Sequence, residues 1–364
     1  MATPVTRALR NRYLSICSPL RVIPFVLLLL TIRTAVPQDL AASGAPVVSE
    51  KTTREVSPLL WQDPTDIAVR DLCYGEGGQS DAPRTTDFAF AKEDLSGTNP
   101  KFVVTDQDGV QWKIKLGAEA KPEVAASRLV WAVGYFTNED YYLADIHITG
   151  LPAKLHRGRQ FIGAGGIVHD ARMQRMDKTT SKKIGNWPWK QGPFAGTREL
   201  NGLRALMAVI NNWDLKDVNN KVFAEKRLEA VADPPRQTYI VSDLGASFGT
   251  TGFVIGLSRS RGNLAAFKSS RFVTKITPQY VDFATPSRAT LLDIFNPSQF
   301  FMRLRLRWIG KRIPRSDAKW MASLLARLSP SQIRDAFRAA GYSPEEVEGF
   351  AEVLEKRISV LNDI

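Results

Sequence analysis

The sequence predicts an α+β fold of two lobes, a small, mainly β lobe followed by a larger helical one. Three observations point to it. Short strand-like runs crowd the stretch before residue 176. From Thr197 onward, apolar residues recur at helical spacing. The final stretch, 316–364, breaks into short helix-like segments that start beside Ser, Pro or Asp, as helices do. Strands early and helices late is the order of an α+β chain.

At the N-terminus, the first 37 residues hold Arg7, Arg10, Arg12, Arg21 and Arg33 and no acid. Within them, Val22–Ile32 is apolar but for Pro24 and Thr31. A basic start before an apolar run of about 7–15 residues is the pattern of a secretory signal. A bilayer-spanning helix would need roughly 20 apolar residues. Export after cleavage of 1–37 is expected, with an uncleaved membrane anchor or a buried strand as the alternatives. Cleavage would remove Cys17 and leave Cys73 without an internal partner. Net charge would fall from +12 to +7 as those five arginines leave. Charge of that size favours anionic partners such as phosphates, nucleic acid or lipid headgroups and does not choose between them; a nucleotide is the expected partner, and nucleic acid is not expected. Only three His are present, so a multi-His metal site is not expected.

Residues 38–85 read as an irregular leader rich in Pro, Gly, Ser and Asp. The β lobe follows over 86–176. Its first three strands are Phe88–Ala91, Lys101–Thr105 and Val110–Leu116, the last two joined by an Asp108-Gly109 hairpin turn. Lys121-Pro122-Glu123 opens a helix running to about Val133, with Pro122 suited to the first helical position. Tyr141–Thr149 and Gly166–Gln174 are strand-like. The helical lobe spans 177–315. It begins with a loop over 177–197, rich in Lys, Gly, Trp and Pro, followed by a helix from Thr197 to Asn211. A C-terminal helical segment covers 316–364.

The chemistry-bearing string is Asn212-Trp213-Asp214-Leu215-Lys216-Asp217-Val218-Asn219, directly after that helix. Phosphoryl transfer needs a carboxylate near the acceptor hydroxyl, a cation near the moving group and oxygen ligands for magnesium. Asp214, Lys216 and Asn219 supply one of each from a single loop. A polar turn that caps the helix would read the same way. Next, the strand Thr238–Val241 delivers Asp243-Leu244-Gly245, placing a second metal-ligand candidate, Asp243, at a strand end. Upstream, Lys113 and Lys115 share a strand face, and Lys115, nearer the helix, is the candidate phosphate anchor. Glu123, or less well Glu119, could hold it through an ion pair. A first-turn Glu also simply suits the helix dipole.

Across roughly 86–260 these parts resemble the protein-kinase-like superfamily, in particular its atypical phosphatidylinositol-kinase-like and HipA-like branches, here in an exported, bacterial-type protein. Ser96-Gly97-Thr98-Asn99-Pro100-Lys101 is similar to the short phosphate loop of those branches, and no G-x-G-x-x-G is present. Where a kinase has His-Arg before its catalytic Asp, this chain has Asn212-Trp213, and no Ala-Pro-Glu follows. The resemblance implies a two-lobe kinase-like fold and an ATP- and magnesium-dependent phosphotransferase with an unknown phosphoacceptor. Asp214 and Lys216 would be catalytic, and Lys115, Glu123, Ser96, Gly97 and Thr98 would bind the nucleotide. Asn219 and Asp243 would hold the metal, and the adenine would sit near Ala171–Met176. A pseudokinase scaffold without turnover, or a nucleotidyl transferase, would use the same parts.

Two further features stand apart. Phe300–Ile309 alternates basic and apolar residues after Phe301. It reads as an element of the helical lobe with a solvated basic side, or as a contact for an anionic membrane. Trp187-Pro188-Trp189 could stack a ligand or simply pin its loop.

Overall fold

The structure, a computed structural model, describes residues 57–176, 181–225, 236–250, 260–284 and 296–364. The expected signal segment and the start of the leader lie outside the described residues, as do 177–180. The fold is mixed α+β. Among the described residues, no helix is long and apolar enough to cross a membrane.

The chain opens with a short strand, β1 (Ser57–Leu59), and an irregular stretch that is nonetheless packed, with Leu60, Ile67 and Leu72 buried. Three strands follow, β2 (Asp87–Glu93), β3 (Lys101–Thr105) and β4 (Gln111–Lys115). After helix α1 (Ala120–Ala132) come β5 (Asp140–Thr149) and β6 (Ile167–Arg175). These five strands close into a barrel in the order β2-β3-β4-β6-β5. Period-two alternation sends Phe102, Val104, Trp112, Ile114, Ala171 and Met173 into its interior. The partners Lys101, Lys113, Lys115, Arg172 and Gln174 therefore share the opposite face.

Helix α1 opens at Ala120, so Pro122 is its third residue and not its first. First-turn N–H groups have no intrahelical partner, which leaves room for a proline there. The helix stops at Gly134, whose φ is 96° and whose missing Cβ would lie 2.3 Å from the Gln62 carbonyl oxygen. Only glycine fits both constraints.

The expected loop over 177–197 contains a strand, β7 (Ser181–Gly185), at the edge of a sheet ordered β1-β9-β8-β7. Its Ser-Lys-Lys-Ile-Gly sequence lacks apolar alternation because a solvated edge strand needs none, and charge there discourages strand addition. Helix α2 (Arg198–Val209) starts on the Thr197 hydroxyl, which accepts from the Leu200 amide at 3.2 Å. Strands β8 (Lys221–Glu225) and β9 (Arg236–Ile240) then pair antiparallel.

The rest is mainly helical: α3 (Leu264–Ser269), the short strands β10 (Val273–Ile276) and β11 (Tyr280–Phe283), α4 (Pro297–Leu306), β12 (Ile313–Pro314), α5 (Arg315–Leu325), α6 (Pro330–Arg338) and α7 (Pro344–Asn362). Helices α6 and α7 both begin with capping boxes and a proline in the first turn. The Phe301–Ile309 alternation belongs to α4 and the 3-10 turn after it, and its basic residues do not share one solvated side. Arg305 and Arg307 are exposed, whereas Arg303 is 1% exposed and lies over the Trp213 ring at 5.1 Å.

Candidate functional site

The site is built where β4, the start of α1 and the end of β9 meet. Lys115, 2% exposed, places its Nζ 2.6 Å from Glu123 Oε2, 2.7 Å from Asp243 Oδ1 and 3.3 Å from Glu119 Oε2. Burial by itself would push this ammonium down, but the carboxylates of Glu123, Asp243 and Glu119 outweigh it and hold it above the ordinary lysine value. The two expected partners are thus both used: Glu123 is buried with Lys115, and Glu119 stands at the rim. Glu119 also takes Asn99 Nδ2 and Arg261 Nη1, tying the β2–β3 loop and a distant segment to the same cluster.

Arg172, directly opposite Lys115 in the barrel register, extends the cluster inward to Glu123 at 3.4 Å and Asp140 at 3.3 Å. Burial drives the Asp140 carboxyl up, to about 6, against the pull of Arg172. Asp243 behaves oppositely. Its burial raises its pKa, yet the Lys115 charge and hydrogen bond carry it down to about 2. Asp243 is in the left-handed region at φ 58°, which Asp tolerates better than most residues. The next turn packs tightly under α1: a Cβ on Gly245 would lie 2.6 Å from the Glu119 Cβ and 3.1 Å from its carbonyl oxygen. Glycine is what lets the Asp243 turn and the helix start approach this closely.

The β8–β9 hairpin brings the second loop in. Lys221 pairs with Ile240, so the chain entering β8 and the chain leaving β9 lie side by side. The Ser242 hydroxyl donates to the Asn219 carbonyl, which puts Asn219 beside Asp243 despite the sequence between them. Asn219 Nδ2 donates to the Asp214 carbonyl at 2.8 Å, closing the loop on itself. The Asp214 carboxylate meets Lys216 Nζ at 2.9 Å, and Trp213 N donates to the Ala246 carbonyl at 3.2 Å. Lys115, Glu123, Asp243, Asn219, Asp214 and Lys216 therefore belong to one connected set.

Ser96, Gly97 and Thr98 stay on the surface of the β2–β3 loop. Their carbonyls are used locally, Ser96 by Lys101 Nζ at 3.3 Å and Gly97 by the Arg157 guanidinium at 2.5 Å. No contact joins them to Asp214 or Asn219 among the described residues. Lys113 turns to Asp94 at 2.8 Å, leaving Lys115 as the lysine in the carboxylate cluster.

One lysine escaped the sequence reading of the site, and another entered it only as the last residue of the phosphate-loop-like string. That second one, Lys101, pairs with Lys115 across β3–β4, and burial and the Lys115 charge lower its pKa. Lys221 follows Asn219 by two residues, and burial, then Arg172, bring it down to about 8. It shares a face of β8 with Phe223, which lines a cavity of about 560 Å³ along with Phe136, Thr137, Arg175, Thr238 and Ile240. Arg175 belongs to the stretch expected beside the adenine, whereas the expected catalytic, metal-binding and phosphate-loop residues do not line that cavity.

Among the described residues, no group of three or more His, Cys, Asp or Glu side chains is placed to hold a metal unaided. Asn219 and Asp243 carry an amide and a carboxylate oxygen, the donor types that suit a hard cation taking its remaining ligands from phosphate and water. Asn219 spends its amide nitrogen on Asp214, so its amide oxygen is the donor it has to give.

No protein-family model matches the chain, and no curated protein matches it. Among solved structures it is similar to the Helicobacter pylori proinflammatory kinase CtkA, with 10% identity and a TM-score of 0.41 over 76% of this chain and 96% of that one. It is also similar to the Golgi casein kinase, with 13% identity and a TM-score of 0.33 over 76% of this chain and 72% of that one. The same kinase with Mn/ADP bound gives 12% identity, a TM-score of 0.33 and the same coverage.

Proposed function

We propose that the chain is a kinase-like, ATP- and magnesium-dependent phosphotransferase that acts outside the cytoplasm on a hydroxyl acceptor. The observation that carries this is the convergence on Lys115 of Glu123 from α1 and Asp243 from the end of β9, with Asn219 hydrogen-bonded beside Asp243. A lysine fixed by a helix carboxylate close to a metal-ligand carboxylate is the arrangement protein kinases use for phosphoryl transfer. The basic, apolar N-terminal pattern supports export.

On this reading Lys115 contacts the nucleotide phosphates, and Glu123 fixes its direction. Asn219 and Asp243 would hold the magnesium, which would neutralise charge on the phosphate oxygens. Asp214 accepts the proton of the acceptor hydroxyl as that oxygen bonds the γ-phosphorus. The bond from that phosphorus to its bridging oxygen breaks, and the electron pair leaves with ADP. Lys216, 2.9 Å from Asp214, follows the charge from the base to the transferring group. That same ion pair favours a second reading, a pseudokinase scaffold, because it occupies the carboxylate that would act as base.

The test is calorimetry of the full chain with ATP and magnesium, followed by transfer of labelled γ-phosphate to itself and to a panel of hydroxyl acceptors. Metal-dependent binding with transfer supports the enzyme. Binding without transfer to any acceptor supports the scaffold, and no binding in any divalent metal removes both.

A further inference from the structure

Helix α4 and the turn after it carry the basic and apolar alternation that the phosphotransfer reading leaves unused. No Asp or Glu occurs between Asp293 and Asp317, whereas Arg303, Arg305, Arg307, Lys311, Arg312 and Arg315 all do. The helix sorts its residues by face. Arg303 and Leu306, three apart, turn inward and are buried, as is Ile309 after them. Phe301, Leu304 and Arg305 have the spacing of one helix face and turn outward, with Phe301 59% and Leu304 37% exposed.

A lone exposed apolar side chain is ordinary on a protein surface. A phenylalanine and a leucine one turn apart, both outward and beside an arginine, are different, because a solvated helix face carries polar and charged residues. The charge continues past the helix. Arg307 and Arg312 are exposed, and the Arg312 guanidinium lies over the ring of Tyr280 at 5.2 Å. Asp282 offsets part of it, accepting from the Arg312 amide at 2.7 Å and lying 3.9 Å from Lys311 Nζ.

We propose that the outward face of α4 docks the protein onto an anionic lipid surface. Phe301 and Leu304 enter the boundary between headgroups and acyl chains, and Arg305 beside them meets the lipid phosphates. The acid-free run that follows adds to the attraction. A solvated polyanion such as nucleic acid would engage the arginines but gives a phenylalanine no reason to stand outward. An anionic membrane takes both, the apolar side chains by burial and the cations at its charged surface. The proposal stands apart from the phosphotransfer reading and is tested without nucleotide.

The experiment is sedimentation of the full chain with two kinds of vesicle, one of phosphatidylcholine alone and one of phosphatidylcholine and phosphatidylglycerol in equal parts. The mixed vesicles should bind at least about tenfold more tightly, since each arginine near an anionic surface is worth about fivefold. Phe301→Ser should weaken binding to them about tenfold through the lost ring. Arg305→Glu reverses a charge and should weaken it about 25-fold. Both side chains are exposed, so both variants should melt like wild type. Should Phe301→Ser melt lower, Leu304→Ser takes its place. The apolar run Val22–Ile32 can itself hold the chain to vesicles. Binding that neither substitution changes belongs to that run and overturns the proposal, as does equal binding to both kinds of vesicle. A loss confined to one variant overturns it too. Arg305→Glu alone would mean a surface for any polyanion, and Phe301→Ser alone an apolar contact indifferent to charge.

Discussion

Lys115 and Asp243 share one hydrogen bond, but their exposures differ, and so do the consequences of losing each. Lys115 is 2% exposed, whereas 38% of the Asp243 side chain remains open to solvent. Solvent screening limits the stability at stake in Asp243→Asn to about 1 kcal/mol. Its pKa is lowered from the ordinary 3.8 to about 2, so its contribution is present above 3.8 and is lost as pH falls toward 2. Acid melts of wild type and Asp243→Asn should therefore converge below pH ~2. At neutral pH the variant should keep its fold yet lose ATP–magnesium affinity at least about tenfold, since an amide cannot replace the carboxylate charge. Unchanged affinity by calorimetry would remove Asp243 from the metal site. Lys221 gives the opposite sign. Burial and Arg172 lower it from 10.5 to about 8, so between those values the unfolded chain holds the extra proton and stability rises with pH. Lys221→Met should remove that rise and gain about 1–3 kcal/mol at pH 7, read from urea melts at pH 7 and 10. A flat wild-type profile would show that Lys221 is not desolvated. The lysine's place in the sequence carried no such signal, because a lysine two residues past an Asn looks like any solvated strand residue.

Elements position these residues through close contacts that spacing alone does not reveal. The strands that carry Lys101 and Lys115, the helix that carries Glu123 and the strand that delivers Asp243 were all legible from alternation, turn residues and caps. Strands β7, β10 and β11 were not: β7 and β10 are short and expose most of their side chains, and β11 is only four residues long, too few for its alternation to stand out. Nor was Arg357. It reaches from α7 to donate to the Ala208 and Val209 carbonyls at 3.0 and 2.9 Å, satisfying the C-terminal turn of α2 just before the Asp214 loop. A basic residue late in a helix predicts no particular acceptor. The Asp243-Leu244-Gly245 turn shows how an element-scale contact governs the site. Gly245→Val would force α1 and the turn apart, because its Cβ meets Glu119 backbone and side chain together. The displacement should separate Glu123 from Lys115 as well as Asp243. We expect a loss of about 1–3 kcal/mol from overpacking and a fall in nucleotide affinity larger than that of Asp243→Asn. Affinity equal to wild type in a folded Gly245→Val chain would mean that the helix start does not set the site.

At the scale of the molecule, the buried apolar residues among those described form two clusters, one inside the barrel and one among the helices, with the Lys115 network joining β4, α1 and the turn after β9. The order of strands and helices made this mixed α+β content legible. The side-to-side placement of Asn219 and Asp243 was not, because it depends on the β8–β9 pairing. That placement also separates binding from turnover. Asp243 and Lys115 meet the nucleotide in the proposed mechanism, while Asp214 meets only the acceptor hydroxyl. Ligand binding to the folded state alone raises stability by about 2.7 kcal/mol at a hundredfold excess over Kd. ATP–magnesium should then raise the melting temperature of wild type and Asp214→Ala alike. Lys115→Met should show no such rise, and its own melting temperature should already be lower, because the buried Glu123 then keeps only the Arg172 guanidinium at 3.4 Å as its cation. Phosphotransfer should fall in Asp214→Ala by about 10²–10⁴-fold, the usual contribution of a general base. If Asp214→Ala loses the nucleotide-induced rise as well, Asp214 contributes to binding rather than to proton transfer. If its melting temperature without ligand drops steeply while Lys216→Ala melts like wild type, the Asp214 loop is a capping turn for α2. An unchanged rate of transfer in a folded Asp214→Ala chain would leave the hydroxyl proton without its proposed acceptor and would move the base elsewhere in the loop.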